Sequence, residues 1–166
     1  TIHMAGENFS THRMAIEYVE KFYVPALGFA KKLRDNDYAL TREVTGWTGR
    51  MNSSWDKITI KDVETPEVGG TLFVGQRFPI KIDVVLGEIR PEDVSVEIVA
   101  GKLNSQEQIL DYQPQPTTFS GGENGVYSFT GEVVAMESGR FGITARIIPK
   151  NDNLPHTIKP KMISWW

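Results

Sequence analysis

Two hydrophobic periods divide the chain. Met14, Tyr18 and Phe22 recur every four residues, and Val19, Ala26, Ala30 and Leu33 continue at nearby positions. That spacing gathers apolar side chains on one face of a helix. Ser10 or Thr11 stands where a hydroxyl can accept from an early unpaired backbone N–H and cap the helix start. Pro25 has no N–H and clashes one turn back, which predicts a kink there or the start of a second helix. Leu40, Val44, Trp47 and Met51 share a face of a further helix expected around residues 38–50. Gly46 and Gly49 within it each weaken it by about 1 kcal/mol relative to Ala.

Beyond residue 54 the period becomes two. Ile58 and Ile60 alternate with Lys57, Thr59 and Lys61, and Phe78, Ile80, Ile82, Val84 and Leu86 form a longer series. Val94, Val96 and Ile98 make another, followed by Tyr127, Phe129 and Val133, then by Phe141, Ile143, Ala145 and Ile147. A half-buried strand turns every second side chain inward. Turn-forming residues separate the runs: Gly69 and Gly70, Gly87, residues 90–93 with Pro91, the glycine-rich residues 121–125, and residues 137–139. Seven or eight short strands with such punctuation predict a mainly β fold, an immunoglobulin-like antiparallel β-sandwich preceded by an N-terminal helical segment. The chain has no Cys, so apolar packing must replace the inter-sheet disulfide of antibody domains.

Composition sharpens the division. Residues 1–54 carry one Pro and four Gly, whereas residues 55–166 carry the other eight Pro and eleven Gly. We therefore expect a helical segment over 1–54 and a β-sandwich domain over 55–166. The whole length of 166 residues is near the ~150 residues of one domain. A net charge of −3 argues against a dedicated nucleic-acid or anionic-membrane binder, which carries a basic stripe. No apolar run approaches the ~18 residues of a membrane span. Thr1 onward has no basic-then-apolar leader, and a cytoplasmic protein is the expectation. The chain begins on Thr1 rather than Met, which fits a portion of a longer protein.

Candidate chemistry is sparse. Without Cys there is no thiol nucleophile, Cys-zinc site or iron–sulfur cluster. His3, His12 and His156 do not stand at metal-ligand spacing; His12 reads as a surface residue and His156 as part of a late loop. No nucleophile elbow, phosphate loop or dinucleotide fingerprint occurs. Residues 121–125 lack the Lys and Ser/Thr that hold phosphate and magnesium. Glu92 and Asp93 follow Pro91 in a turn, with no cleft between paired carboxylates. No catalytic, cofactor or metal residue is assigned. Trp47, Trp55, Trp165 and Trp166 have indole faces that suit stacking on a sugar ring, although core or interdomain packing is the stronger use of such side chains. The apolar pair Trp165 and Trp166 is expected to dock on another element.

Ser10, Thr11, Arg13, Met14, Glu17, Tyr18, Tyr23, Pro25 and Ala26 resemble a pattern near the C-terminal end of bacterial and archaeal alpha-glucan phosphorylases, S-T-x-R-M-V-x-E-Y-x-x-x-x-Y-x-P-A. Arg146, Ile147, Pro149 and Leu154 resemble the family's R-V-x-P-x-H-x-x-L, with Asn151 in place of the His. Residues 139–142, Gly-Arg-Phe-Gly, also suit that family.

The resemblance implies a parent enzyme with two nucleotide-binding-like domains and pyridoxal phosphate attached to a Lys. Such an enzyme transfers the terminal glucose of an alpha-1,4-glucan to phosphate with retention, the cofactor phosphate relaying the proton. The catalytic region has no counterpart here, and Lys21, Lys31 and Lys32 read as solvated positions on a helix. The resemblance thus implies a noncatalytic C-terminal accessory region whose partners are the parent's catalytic lobes. Arg13, Met14, Tyr18, Phe22 and Tyr23 would be its interdomain docking residues. Separated from those lobes, the stripe would drive self-association. The sandwich could aid assembly or capture alpha-glucan. Two other readings remain open at this point: a stand-alone carbohydrate-binding module, and an immunoglobulin-like adhesion or scaffold domain.

Overall fold

Ser10 is extended (φ −75°, ψ 140°), and its hydroxyl oxygen accepts from the Arg13 N–H at 3.2 Å. This cap starts helix α1, Thr11–Tyr18. The structure is a computed structural model that describes residues 10–65, 74–110, 112–136, 140–154 and 162–166. The chain forms two compact units, Thr1–Thr48 and Gly49–Trp166.

A second helix begins beside Pro25, as expected, but through a π turn. A wider π-helical turn, Val19–Tyr23, follows α1, and the Val24 N–H donates to the Val19 carbonyl five residues back. The chain then continues as α2, Val24–Ser54. Pro25 offers no N–H to the carbonyl one turn earlier and crowds it; a π turn accommodates both defects while the chain stays helical. A second interruption comes inside α2. Asp35 is extended and Asn36, Asp37 and Tyr38 all have left-handed φ values of 51–60°. Asn and Asp tolerate that conformation better than most residues. Across the break, the Thr41 hydroxyl donates to the Leu33 carbonyl at 2.7 Å. The helix after it matches expectation: Trp47 and Met51 are buried and Leu40 and Val44 half-buried. A 3-10 turn, Trp55–Lys57, closes it.

Eight strands follow among the described residues: β1 Thr59–Glu64, β2 Arg77–Val85, β3 Val94–Lys102, β4 Gln115–Pro116, β5 Thr118–Glu123, β6 Val126–Val134, β7 Phe141–Pro149 and β8 Ser164–Trp165. They form two antiparallel four-stranded sheets, in the orders β1-β2-β6-β5 and β4-β3-β7-β8. The expected mainly β sandwich preceded by a helix is the observed fold. In β2, Phe78, Ile80, Ile82 and Val84 are buried, opposite a β6 that buries Phe129 and Val133. In the second sheet, Val96 lies opposite Ile147 and Ile98 opposite Ala145, all buried. The sheets meet closely at Gly131 of β6, where a Cβ would stand 2.7 Å from Ile98 Cδ1 of β3.

Local irregularities have local causes. Asn124 and Gly125, with φ of 54° and 79°, make the two-residue turn between β5 and β6, the geometry that Asn-Gly favours. A bulge between Ile60 and Asp62 shifts the register of β1, so the alternation begun by buried Ile58 resumes at buried Val63. No helix among the described residues is long and apolar enough to cross a membrane.

Candidate functional site

The helical segment carries an exposed apolar stripe. Met14 is 54% exposed, Tyr18 49% and Phe22 60%. The Tyr18 and Phe22 rings lie 5.6 Å apart, tilted by 37°. Charged side chains flank them: Arg13 Nε is 3.2 Å and Lys21 Nζ 3.1 Å from opposite oxygens of Glu17. The hydrogen bond from Lys21, then its charge and that of Arg13, hold the Glu17 carboxyl below its ordinary range. A shallow cleft runs between Met14, Glu17, Tyr18, Lys21 and Phe22. Of the five residues expected to dock, Met14, Tyr18 and Phe22 line this cleft, Arg13 braces its Glu17, and Tyr23 is exposed beyond it.

Sequence periodicity missed Ile16, Val24 and Leu27, which are exposed as well. The π turn inserts a wider step after Tyr18, so an ideal helical wheel drawn from Met14 misplaces the residues beyond that turn. Pro25 was the signal available for that shift.

The four tryptophans separate. Trp47 and Trp55 are 5% and 6% exposed, the burial that the favoured packing use requires, and a buried indole has no face to offer a sugar. Trp165 and Trp166 are exposed by about half. They dock on β7, as expected of so apolar an end. Ser164 and Trp165 pair with Ile147 and Arg146, and the Trp166 N–H donates to the Ala145 carbonyl at 3.1 Å. Trp165 ends β8 and Trp166 lies just beyond it. The Arg146 guanidinium lies over the Trp165 ring at 5.7 Å from its centre, while Arg146 Nε donates to Glu97 Oε2 at 2.7 Å.

Other candidates stay apart. His12 is exposed on α1, and His3 and His156 lie outside the described residues. Glu92 and Asp93 occupy a 3-10 turn, Pro91–Asp93. Among the described residues, no three His, Asp or Glu side chains converge on a metal position. Each described lysine is exposed except Lys81, which is half-buried. Lys81 Nζ contacts Asp83 Oδ2 at 3.1 Å and Glu64 Oε1 at 3.2 Å, and the hydrogen bonds to Asp83 and Glu64 raise its pKa.

This is the anatomy of a two-sheet β-sandwich domain with an N-terminal helical segment. A family model described as the glycogen phosphorylase C-terminal domain matches residues 55–166, and the chain belongs to that family. It is 30% identical to a maltodextrin phosphorylase of Thermococcus litoralis, over 99% of this chain and 19% of that protein. It is 27% identical to a glycogen phosphorylase of Mycobacterium bovis, over 93% of this chain and 18% of that protein. A glycogen phosphorylase of Mycobacterium tuberculosis is 26% identical over the same shares. The chain thus spans about a fifth of the length of these curated relatives.

Proposed function

We propose that the chain is the noncatalytic C-terminal region of a pyridoxal-phosphate-dependent alpha-glucan phosphorylase, and that its helical stripe docks on the catalytic region. The observation that carries this reading is the unburied row of Met14, Tyr18 and Phe22. Leaving large apolar side chains in water costs about 1.5–3 kcal/mol each relative to burial, and a catalytic lobe is the surface that would cover them. Family membership and the share of each relative matched support the same parent.

The cofactor belongs to the parent in this reading. An imine-forming lysine needs an enclosed site and a lowered pKa. The described lysines are mostly exposed, and Lys81 is shifted in the opposite direction by its carboxylate partners. These residues do not fit the group. The strand orders support an immunoglobulin-like description of the accessory domain, since such sandwiches divide strands A, B, E and D from C, F and G.

The test supplies the chain with pyridoxal phosphate, inorganic phosphate and maltodextrin. No glucose 1-phosphate is expected, and steady release would overturn the noncatalytic reading. When the parent's catalytic region is added, the two should co-elute. Changing Tyr18 and Phe22 together to Glu should abolish that co-elution; unchanged co-elution would remove the stripe from the docking surface.

A further inference from the structure

One row of side chains crosses all four strands of the second sheet. Pro116 of β4 lies opposite Glu97 of β3, Glu97 opposite Arg146 of β7, and Arg146 opposite Trp165 of β8. The flanking residues Val96, Ile98, Ala145 and Ile147 are buried. By alternation, the row lies on the outer face of the sandwich. The Glu97 and Arg146 side chains are 15% and 17% exposed, whereas Trp165 remains 48% exposed.

Packing accounts poorly for this arrangement. An ion pair so far removed from water roughly breaks even against an apolar pair of similar size, so stability gives little reason for Glu97 and Arg146. Nor does folding require a large aromatic ring at the surface of a short edge strand. The row is nevertheless well ordered. The guanidinium lies over the indole, a cation–π contact that restrains the ring. The Thr144 hydroxyl donates to the Trp166 carbonyl at 3.2 Å and the Trp166 N–H to Ala145, tying down the backbone beside it. A restrained aromatic surface loses little conformational freedom when something stacks on it.

The chemistry identifies what could stack. The electron-rich indole face attracts weakly positive C–H groups, which line one side of a glucose ring. Arg146 beside it supplies a planar donor suited to the hydroxyls at the ring's rim, and Glu97, on the far side of Arg146 from the indole, holds the guanidinium in place. We propose that Trp165, oriented by Arg146 that Glu97 in turn holds, is a holding site for an alpha-glucan chain. The proposal rests on the phosphorylase reading for its choice of alpha-glucan among sugars. It assigns no such role to Trp47, Trp55 or Trp166.

Maltoheptaose titrated into the full chain tests it, with the indole N–H resonances followed by NMR. The Trp165 signal is assigned by its loss in Trp165→Phe. Maltoheptaose should move that signal, and cellopentaose at the same concentration should not. Trp165→Ala should weaken binding about tenfold or more, with its circular dichroism unchanged, and Trp166→Ala should stay within about twofold. The wild-type resonance keeps the test valid if Trp165→Ala does not fold. An unmoved Trp165 signal at saturating maltoheptaose, equal binding by folded Trp165→Ala, or an equal response to cellopentaose would each overturn the site. None of those results bears on the phosphorolysis assay, which tests the parent reading separately.

Discussion

Asp83 of β2 and Ser128 of β6 stand opposite each other, and the Ser128 hydroxyl donates to Asp83 Oδ1 at 2.6 Å. Lys81 Nζ reaches the other oxygen at 3.1 Å. The Asp83 carboxyl lies below its ordinary range, chiefly because of the Ser128 hydrogen bond and then Lys81, against an opposing desolvation. A lowered carboxyl pKa stabilises the fold at pH values above the ordinary ~3.9. That contribution is lost as pH falls through the folded pKa. Ser128→Ala should therefore cost about 1–3 kcal/mol at pH 7. In urea denaturation, its deficit against wild type should shrink once the pH drops below the carboxylate range. A deficit of constant size from pH 7 to strong acid would show that the hydroxyl acts through packing instead.

Two glycines should respond in opposite directions. A Cβ on Gly131 would meet Ile98 Cδ1 at 2.7 Å and Thr117 Cγ2 at 3.0 Å, where the sheets face each other. Gly131→Ala should destabilise by about 1–3 kcal/mol through overpacking. Exposed Gly49 has nothing within 4 Å of a Cβ and lies within α2. Gly49→Ala should stabilise by up to about 1 kcal/mol through helix propensity. Thermal unfolding of the two variants checks both signs, and a Gly131→Ala protein as stable as wild type would refute the close approach.

The apolar stripe should make the isolated chain self-associate. Sedimentation velocity should show an average mass that rises with concentration, and Phe22→Glu should weaken association by about tenfold or more. A wild-type chain that stays monomeric at high concentration would count against the stripe as a self-docking surface.

Much of the fold is legible in the order of the residues, because burial imposes a period on it. Phe78 through Val84 and Val94 through Ile98 announce strands with one inward face, and those faces are buried. Met14, Tyr18 and Phe22 announce a helix face, although nothing local tells whether that face is covered. The short strands β4 and β8 are harder to read. Two residues carry no period, and their pairing depends on β3 and β7 being in place beside them.

The candidate sites divide in the same manner. Sequence by itself determined a helical cap at Ser10 or Thr11, the alternating core, the change of period after residue 54 and the family pattern. Each depends on neighbours a few residues apart. Tertiary structure decided which tryptophans are exposed: it buries Trp47 and Trp55, and it sets Trp165 against Arg146, which Glu97 holds. It also added a second helical interruption at residues 35–38. Exposure and juxtaposition are properties of the folded surface, created when distant strands pair, and no spacing along the chain encodes them directly.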